Sequence, residues 1–366
     1  MRTASSFPWR IAFLAAFMAA VCLLAVFVMR SKDKVVEAAR PEAFQPEAFQ
    51  PRLPGLDTSG YQYVMSHVRP WDPNASLSTV ADRYVEAPVK AMAEADAHIA
   101  DLAETPVRRA SWFISRAMIH NYAGRTADAL ASLAEGRALA ESDAEAGETL
   151  RYTIIYYQGV SSLRLGEDEN CIMCRGEGTC ILPLARSARH TNRRGSELAV
   201  GFFSEYLERF PDDLEVKWLL NFAHMTLDEH PAKVDPKNRL TLEKFGQSEF
   251  DIGRFRDVGA AVGVNRLNFQ GGGLMDDFDN DGRLDIVVTA NHPSEPMAFF
   301  RNRGDGTFED RTKEAGLVTQ TGGLYCVQAD YNNDGRMDIF IPRGAWMPAA
   351  SARRIAATAF SFSPAK

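Results

Sequence analysis

The sequence predicts a multidomain chain in three parts: an N-terminal transmembrane helix, an α-helical repeat-like region, and all-β, propeller-type blades too few to close a ring. Three observations carry this. An apolar run fills Ile11–Met29, apolar residues recur at helical spacing between Leu77 and Leu227, and one acidic loop is written twice, at 277–285 and 330–338.

With 366 residues the chain has room for two domains with sizeable cores, and 46% hydrophobic content is ordinary for globular protein. Net charge is −7, with no basic stripe of interleaved aromatics, so nucleic acid is excluded as a partner. Between Arg10 and Arg30, the 19 residues Ile11–Met29 would as a helix span nearly the whole ~30 Å hydrocarbon core. The run is longer than the apolar stretch of a cleaved signal peptide, and no small-x-small site follows Met29. The expectation is therefore an uncleaved signal-anchor at 11–29 with a cytoplasmic 1–10. A Pro-rich linker at 30–73 follows, in which Pro-Glu-Ala-Phe-Gln is written twice, at Pro41–Gln45 and Pro46–Gln50. Proline at that density favours extended chain.

Apolar residues at Tyr152, Ile155, Tyr156, Val160 and Leu163, and at Val216, Leu219, Leu220, Ala223 and Leu227, give amphipathic helices in a domain at 74–235. Trp112–Ala123, Gly124 and Ala127–Ala140 read as a helix pair with its turn, and Tyr206–Asp213 ends a second pair. This resembles tetratricopeptide repeats, although Gly124 to Gly166 spans 42 positions where that repeat has about 34. Such helices offer either a concave partner-binding surface or a spacer packed on the blades.

The five cysteines are Cys22, Cys171, Cys174, Cys180 and Cys326, an odd number that leaves no fully paired framework. Three of them lie in an insertion at 171–190. A disulfide between Cys171 and Cys180 would pin this loop in an oxidising compartment. Alternatively, Cys-x-x-Cys-x-Gly-x-Gly resembles one repeat of a DnaJ-type zinc module, with His190 as fourth ligand. Unpaired thiols are the third reading, and Arg175 stands where haem attachment needs histidine.

Downstream of a connector at 236–254, Asp277-Phe-Asp279-Asn-Asp281-Gly282-Arg-Leu-Asp285 gathers four carboxylates around a glycine. Hard oxygen ligands in this order suit calcium, with the carbonyl of Arg283 as backbone ligand; a solvated acidic turn is the alternative. The loop departs from an EF-hand, because the twelfth position is Val288 and the β-branched Ile286–Thr289 reads as a strand. A second copy supplies Asp330, Asn332, Asp334, the Arg336 carbonyl and Asp338. Asn332 replaces a carboxylate there, so weaker binding is expected. The offset is 53 positions throughout, and it also relates Phe255-Arg-Asp257 to Phe308-Glu-Asp310 and Gly263 to Gly316. A period near 50 with several short strands is that of a propeller blade, giving two blades at 255–347.

Asp277–Ile286, Asn302–Phe308 and Gly322–Asp330 resemble FG-GAP (VCBS-type) repeats of the bacterial ASPIC/UnbV and cartilage-acidic-protein relatives. The resemblance implies integrin-like blades with calcium in a hairpin loop. A propeller closes with about four to eight blades. A third copy should begin near 355, yet no acidic residue occurs after Asp338. The expectation is a frame lost after about Met347, an aberrant tail at 348–366 and missing later blades.

Hairpin calcium sites with dissociation constants of about 10⁻⁴–10⁻³ M would be empty in cytosol. The whole then reads as a single-pass, extracytoplasmic, non-catalytic calcium-binding module for a protein or polysaccharide partner. No nucleophile–base constellation or Gly-x-Ser-x-Gly occurs. A truncated relative of a propeller enzyme acting on polysaccharide, and a tetratricopeptide-like adaptor with vestigial blades, are the alternatives.

Overall fold

Seven helices take up the first two thirds of what the computed structural model describes: residues 52, 57–68, 75–143, 147–171, 182, 184, 186–242, 249–250, 253, 255–266, 268, 271–343 and the backbone of 357–361. They are α1 (Tyr61–Val68), α2 (Leu77–Ala100), α3 (Pro106–Tyr122), α4 (Thr126–Ser142), α5 (Gly147–Asn170), α6 (Arg194–Arg209) and α7 (Leu214–Thr226). Their starts are encoded locally, since Ser76, Thr105 and Asp213 each accept a first-turn backbone N–H, and Pro106 opens α3. Gly124, at φ 69°, makes the turn between α3 and α4.

Each helix packs mainly on its sequence neighbours. Their inward faces pool Ile114, Leu133, Ile154, Phe203, Leu207 and Leu220 into one core. The α5–α6 crossing is closer than ordinary side chains allow. Gly159 faces the Phe203 ring, and a Cβ at Gly195 would stand 2.3 Å from the backbone nitrogen of Gly166. Arg52 closes the far side, its guanidinium 4.1 Å from the centre of the Tyr156 ring and paired with Asp213 and Glu215.

A short α8 (Gly259–Val262) leads into two antiparallel sheets. The first has the order β1 (Gly273–Asp276), β2 (Asp285–Val288), β3 (Ala298–Asn302), β4 (Phe308–Asp310); the second has β5 (Val327–Ala329), β6 (Asp338–Pro342), β7 (Ala357–Ser361). Phe278, Val287, Phe299, Cys326, Ile339 and Ile341 form a shared core between them.

The 53-residue repeat is visible bond by bond. Asp257 accepts the Gly259 N–H as Asp310 accepts that of Thr312. Val264 donates to the Gly259 carbonyl at 2.9 Å as Leu317 does to that of Thr312 at 3.0 Å. Both turns end on glycines of positive φ, Gly263 and Gly316.

Several expectations are corrected. Ile11–Met29 lies outside the described residues, and among those described no helix is long and apolar enough to cross a membrane. α2 and α5 have 24 residues each, but Arg83, Glu86, Lys90 and Glu94 interrupt one and Arg151, Arg164 and Glu167 the other. The transmembrane helix, the single-pass anchor and the extracytoplasmic cell-membrane location built on it are withdrawn. In place of membrane helix, tetratricopeptide-like region and incomplete propeller, the described fold is eight helices followed by two small sheets.

The expected linker at 30–73 contains α1, which buries Val64, Met65 and Val68. Asp57 sets it up by accepting the Ser59 and Gln62 N–H groups. The expected aberrant tail contributes β7. Its register is displaced: Ile286 pairs with Phe300 in the first sheet, whereas Ile339 pairs with Phe360, not with residue 353. A longer connection after β6 explains why the repeat looked lost.

Candidate metal centre

Each acidic loop joins two antiparallel strands, the first closed by the pair Asp276–Asp285 and the second by Ala329–Asp338. Asp277 accepts the N–H groups of Asp281 and Gly282 at 2.9 and 2.8 Å, and Asp330 accepts those of Asp334 and Gly335 at 3.0 and 2.9 Å. Asn280 and Asn333 both sit at φ 59°, with Gly282 at 82° and Gly335 at 81°. That αL turn is what Asn and Gly tolerate and other residues resist. It folds the chain so that the carboxylates face inward.

In the first loop, carboxylate oxygens of Asp277, Asp279 and Asp285 come within 4.8 Å of one another. Asp285 is fully buried; its Oδ1 accepts the Asn302 N–H at 2.8 Å, while Oδ2 has no hydrogen-bond partner. Burial, reinforced by the charges of Asp279 and Asp281, pushes its carboxyl up to about 6. Asp279 Oδ1 is likewise buried without a partner. A cluster of three carboxylates that includes two residues with buried, partnerless oxygens is what a bound cation would satisfy, so these residues fit calcium.

Asp281, expected among the ligands, stands apart from this cluster, paired instead with Arg283 and with Arg301 at 3.0 Å. The Arg301 guanidinium from β3 also reaches Asp279. Arg283 and Arg336 enter the loops through backbone N–H groups donated to Asp281 and Asp334 at 3.0 and 2.9 Å. In the second loop the exposed Asn332 is held by Asp334, accepting its N–H and donating to its carboxylate, both at 3.0 Å. Asp338 is buried with a partnerless Oδ1, but with an amide at 332 no triplet of acidic groups forms. The loops touch, since Asn280 Nδ2 donates to the Gly335 carbonyl at 3.1 Å.

Arg301 was not legible as part of the site, although the same offset pairs it with Arg354. Its guanidinium neutralises the carboxylates that a cation would use. Arg301→Gln is expected to lower the melting temperature in chelator and to tighten calcium binding severalfold, the two arms measured by scanning calorimetry and titration calorimetry.

At the cysteine insertion, Cys174 and Cys180 lie outside the described residues. Cys171, at the end of α5, places Sγ 3.6 Å from His190 Nε2, and His190 Nδ1 is 2.8 Å from Ser196 Oγ. The structure thus brings together the two zinc-reading residues it describes.

One loop-and-strand unit is therefore written twice, with equivalent hydrogen bonds and equivalent strained positions. Residues 277–341 match the FG-GAP-like repeat family. The matched FG-GAP-like stretch begins at the first carboxylate of the first loop and ends in β6, just past the last acidic residue of the second. No match was found among curated proteins or among solved structures.

Proposed function

We propose that the chain is a non-catalytic interaction module whose FG-GAP-like portion is braced by calcium. The observation that carries this is the convergence of Asp277, Asp279 and Asp285 with two buried, partnerless carboxylate oxygens. The ion's role is structural: held between β1 and β2, it turns binding energy into folding energy of the hairpin. FG-GAP-like repeats of the ASPIC/UnbV kind form the finer family reading, and a protein or polysaccharide is the partner class it implies.

Titration calorimetry of the chelator-treated chain tests the proposal. Calcium should bind with a dissociation constant of about 10⁻⁴–10⁻³ M. Asp279→Asn should abolish the stronger site. Asn332→Asp, which completes the second loop, should tighten the weaker one by roughly tenfold, because affinity follows the number of charged ligands. Absence of calcium heat in the wild-type chain and in Asn332→Asp would sink the reading.

A further inference from the structure

Between the Asp57–Gly60 turn, the end of α3 and the chain after β2 lies a cavity of about 930 Å³, within the range of small-molecule sites. Its wall carries Asn121, Asn268 and Asn291, each with a buried carboxamide oxygen that meets no hydrogen-bond donor. Asn121 is only 5% exposed. Its Nδ2 donates to Ser161 Oγ at 2.9 Å, and turning the amide over would only exchange a partnerless oxygen for a partnerless NH₂. The Asn268 amide has one orientation, because Nδ2 donates at 2.9 Å to the Thr289 carbonyl, which can only accept. Folded proteins rarely leave such oxygens unmet, and three on one wall point to a ligand that donates hydrogen bonds.

Donors face the same space. Arg164, a cationic residue of α5, lines it. Ser294 holds His292 at Nδ1, with its Oγ 2.7 Å and its backbone nitrogen 3.3 Å away. Burial lowers the pKa of this imidazole. The ring stands edge-on to Tyr84 with centroids 5.4 Å apart, so part of the wall is aromatic. Asp57 lines the same space, its oxygens held by Ser59 and Gln62, so the wall carries one carboxylate and one guanidinium residue and no excess of either sign.

We propose that this cavity binds a neutral carbohydrate through adjacent hydroxyls. A hydroxyl is at once one donor and two acceptors. It can donate to an asparagine oxygen and accept from Arg164, while the C–H face of a pyranose lies against Tyr61 and Tyr122, which also line the cavity. The site lies apart from the acidic loops and does not rest on calcium, but it gives the interaction module a ligand class.

The test is saturation-transfer NMR on the full chain, with glucose, galactose, mannose, N-acetylglucosamine, maltose and cellobiose as neutral probes, and glucuronic acid and triglycine as competitors. At least one neutral sugar is expected to receive saturation, with binding weakened about tenfold or more by Asn291→Ala and by Arg164→Gln. Arg164 is half-exposed on a helix, so its variant remains informative if the asparagine variant fails to fold. Measurement in chelator keeps the result independent of the metal loops. The proposal is overturned by silence from every neutral sugar, by binding that survives both substitutions, or by a response confined to glucuronic acid or triglycine.

Discussion

Ten millimolar calcium is expected to raise the melting temperature of the chelator-treated chain by about 2–4 °C per site. The estimate follows from mass action: with a dissociation constant of about 10⁻⁴–10⁻³ M, ligand in 10- to 100-fold excess stabilises by about 1.4–2.7 kcal/mol per site. Each kcal/mol moves a cooperative unit of this size by about 1.5 °C. The signature that sets this apart from nonspecific ion effects comes from Asp285→Asn. In the metal-free protein the Asp285 carboxyl is held above its ordinary range, at about 6, by burial and by two neighbouring carboxylates. A carboxyl of raised folded-state pKa gives its full stability below the unfolded value near 3.8 and loses it as pH rises through about 6. At neutral pH its charge therefore costs stability when no metal is bound. Asp285→Asn should then raise the melting temperature in chelator while abolishing most of the calcium shift, two changes of opposite sign from one substitution. Scanning calorimetry at pH 7 with and without calcium reads both, and an Asp285→Asn variant that keeps the full shift would remove this residue from the site.

Much of the β portion was legible because its constraints are local. Asp277 and Asp281 bond to backbone N–H groups a few residues away, Gly282 and Gly335 supply the positive φ, and the β-branched run at 286–288 extends straight into β2. Repetition at a fixed offset then made one loop the control for the other. What escaped was whatever depends on contacts distant in sequence. Arg301 meets Asp279 and Asp281 only because β3 folds back on β2. Asn121 and Asn291 share a cavity wall only after helices and sheets have packed. α1 escaped for another reason: eight residues give too few turns for a periodic signal, and its Asp57 cap lies among prolines that suggest extended chain. β7 was missed because its register departs from the repeat, so the offset that found everything else pointed to the wrong residues.

Two substitutions on α6 should move stability in opposite directions. At Gly195 a methyl group would stand 2.3 Å from the nitrogen and 2.6 Å from the Cα of Gly166, and 2.7 Å from the Ser162 carbonyl oxygen. All three are backbone atoms of α5, so no rotamer change relieves the overlap. The helices must separate, which loosens Phe203 from the space that Gly159 leaves for it. Overpacking of this kind costs about 1–3 kcal/mol, and the backbone contact puts Gly195→Ala at the upper end. At Gly201, two turns along the same helix, nothing lies within 4 Å. Gly201→Ala should gain about 0.8–1 kcal/mol from helix propensity alone. The urea midpoint of the 222 nm ellipticity should therefore fall in one variant and rise in the other. Because Pro51–Lys366 form one compact unit, the calcium-sensitive transition should shift with the helical one in both variants. A calcium-sensitive transition that stays fixed while the helical midpoint moves would divide that unit into two that unfold independently, with the carbohydrate cavity at their junction as the first feature lost.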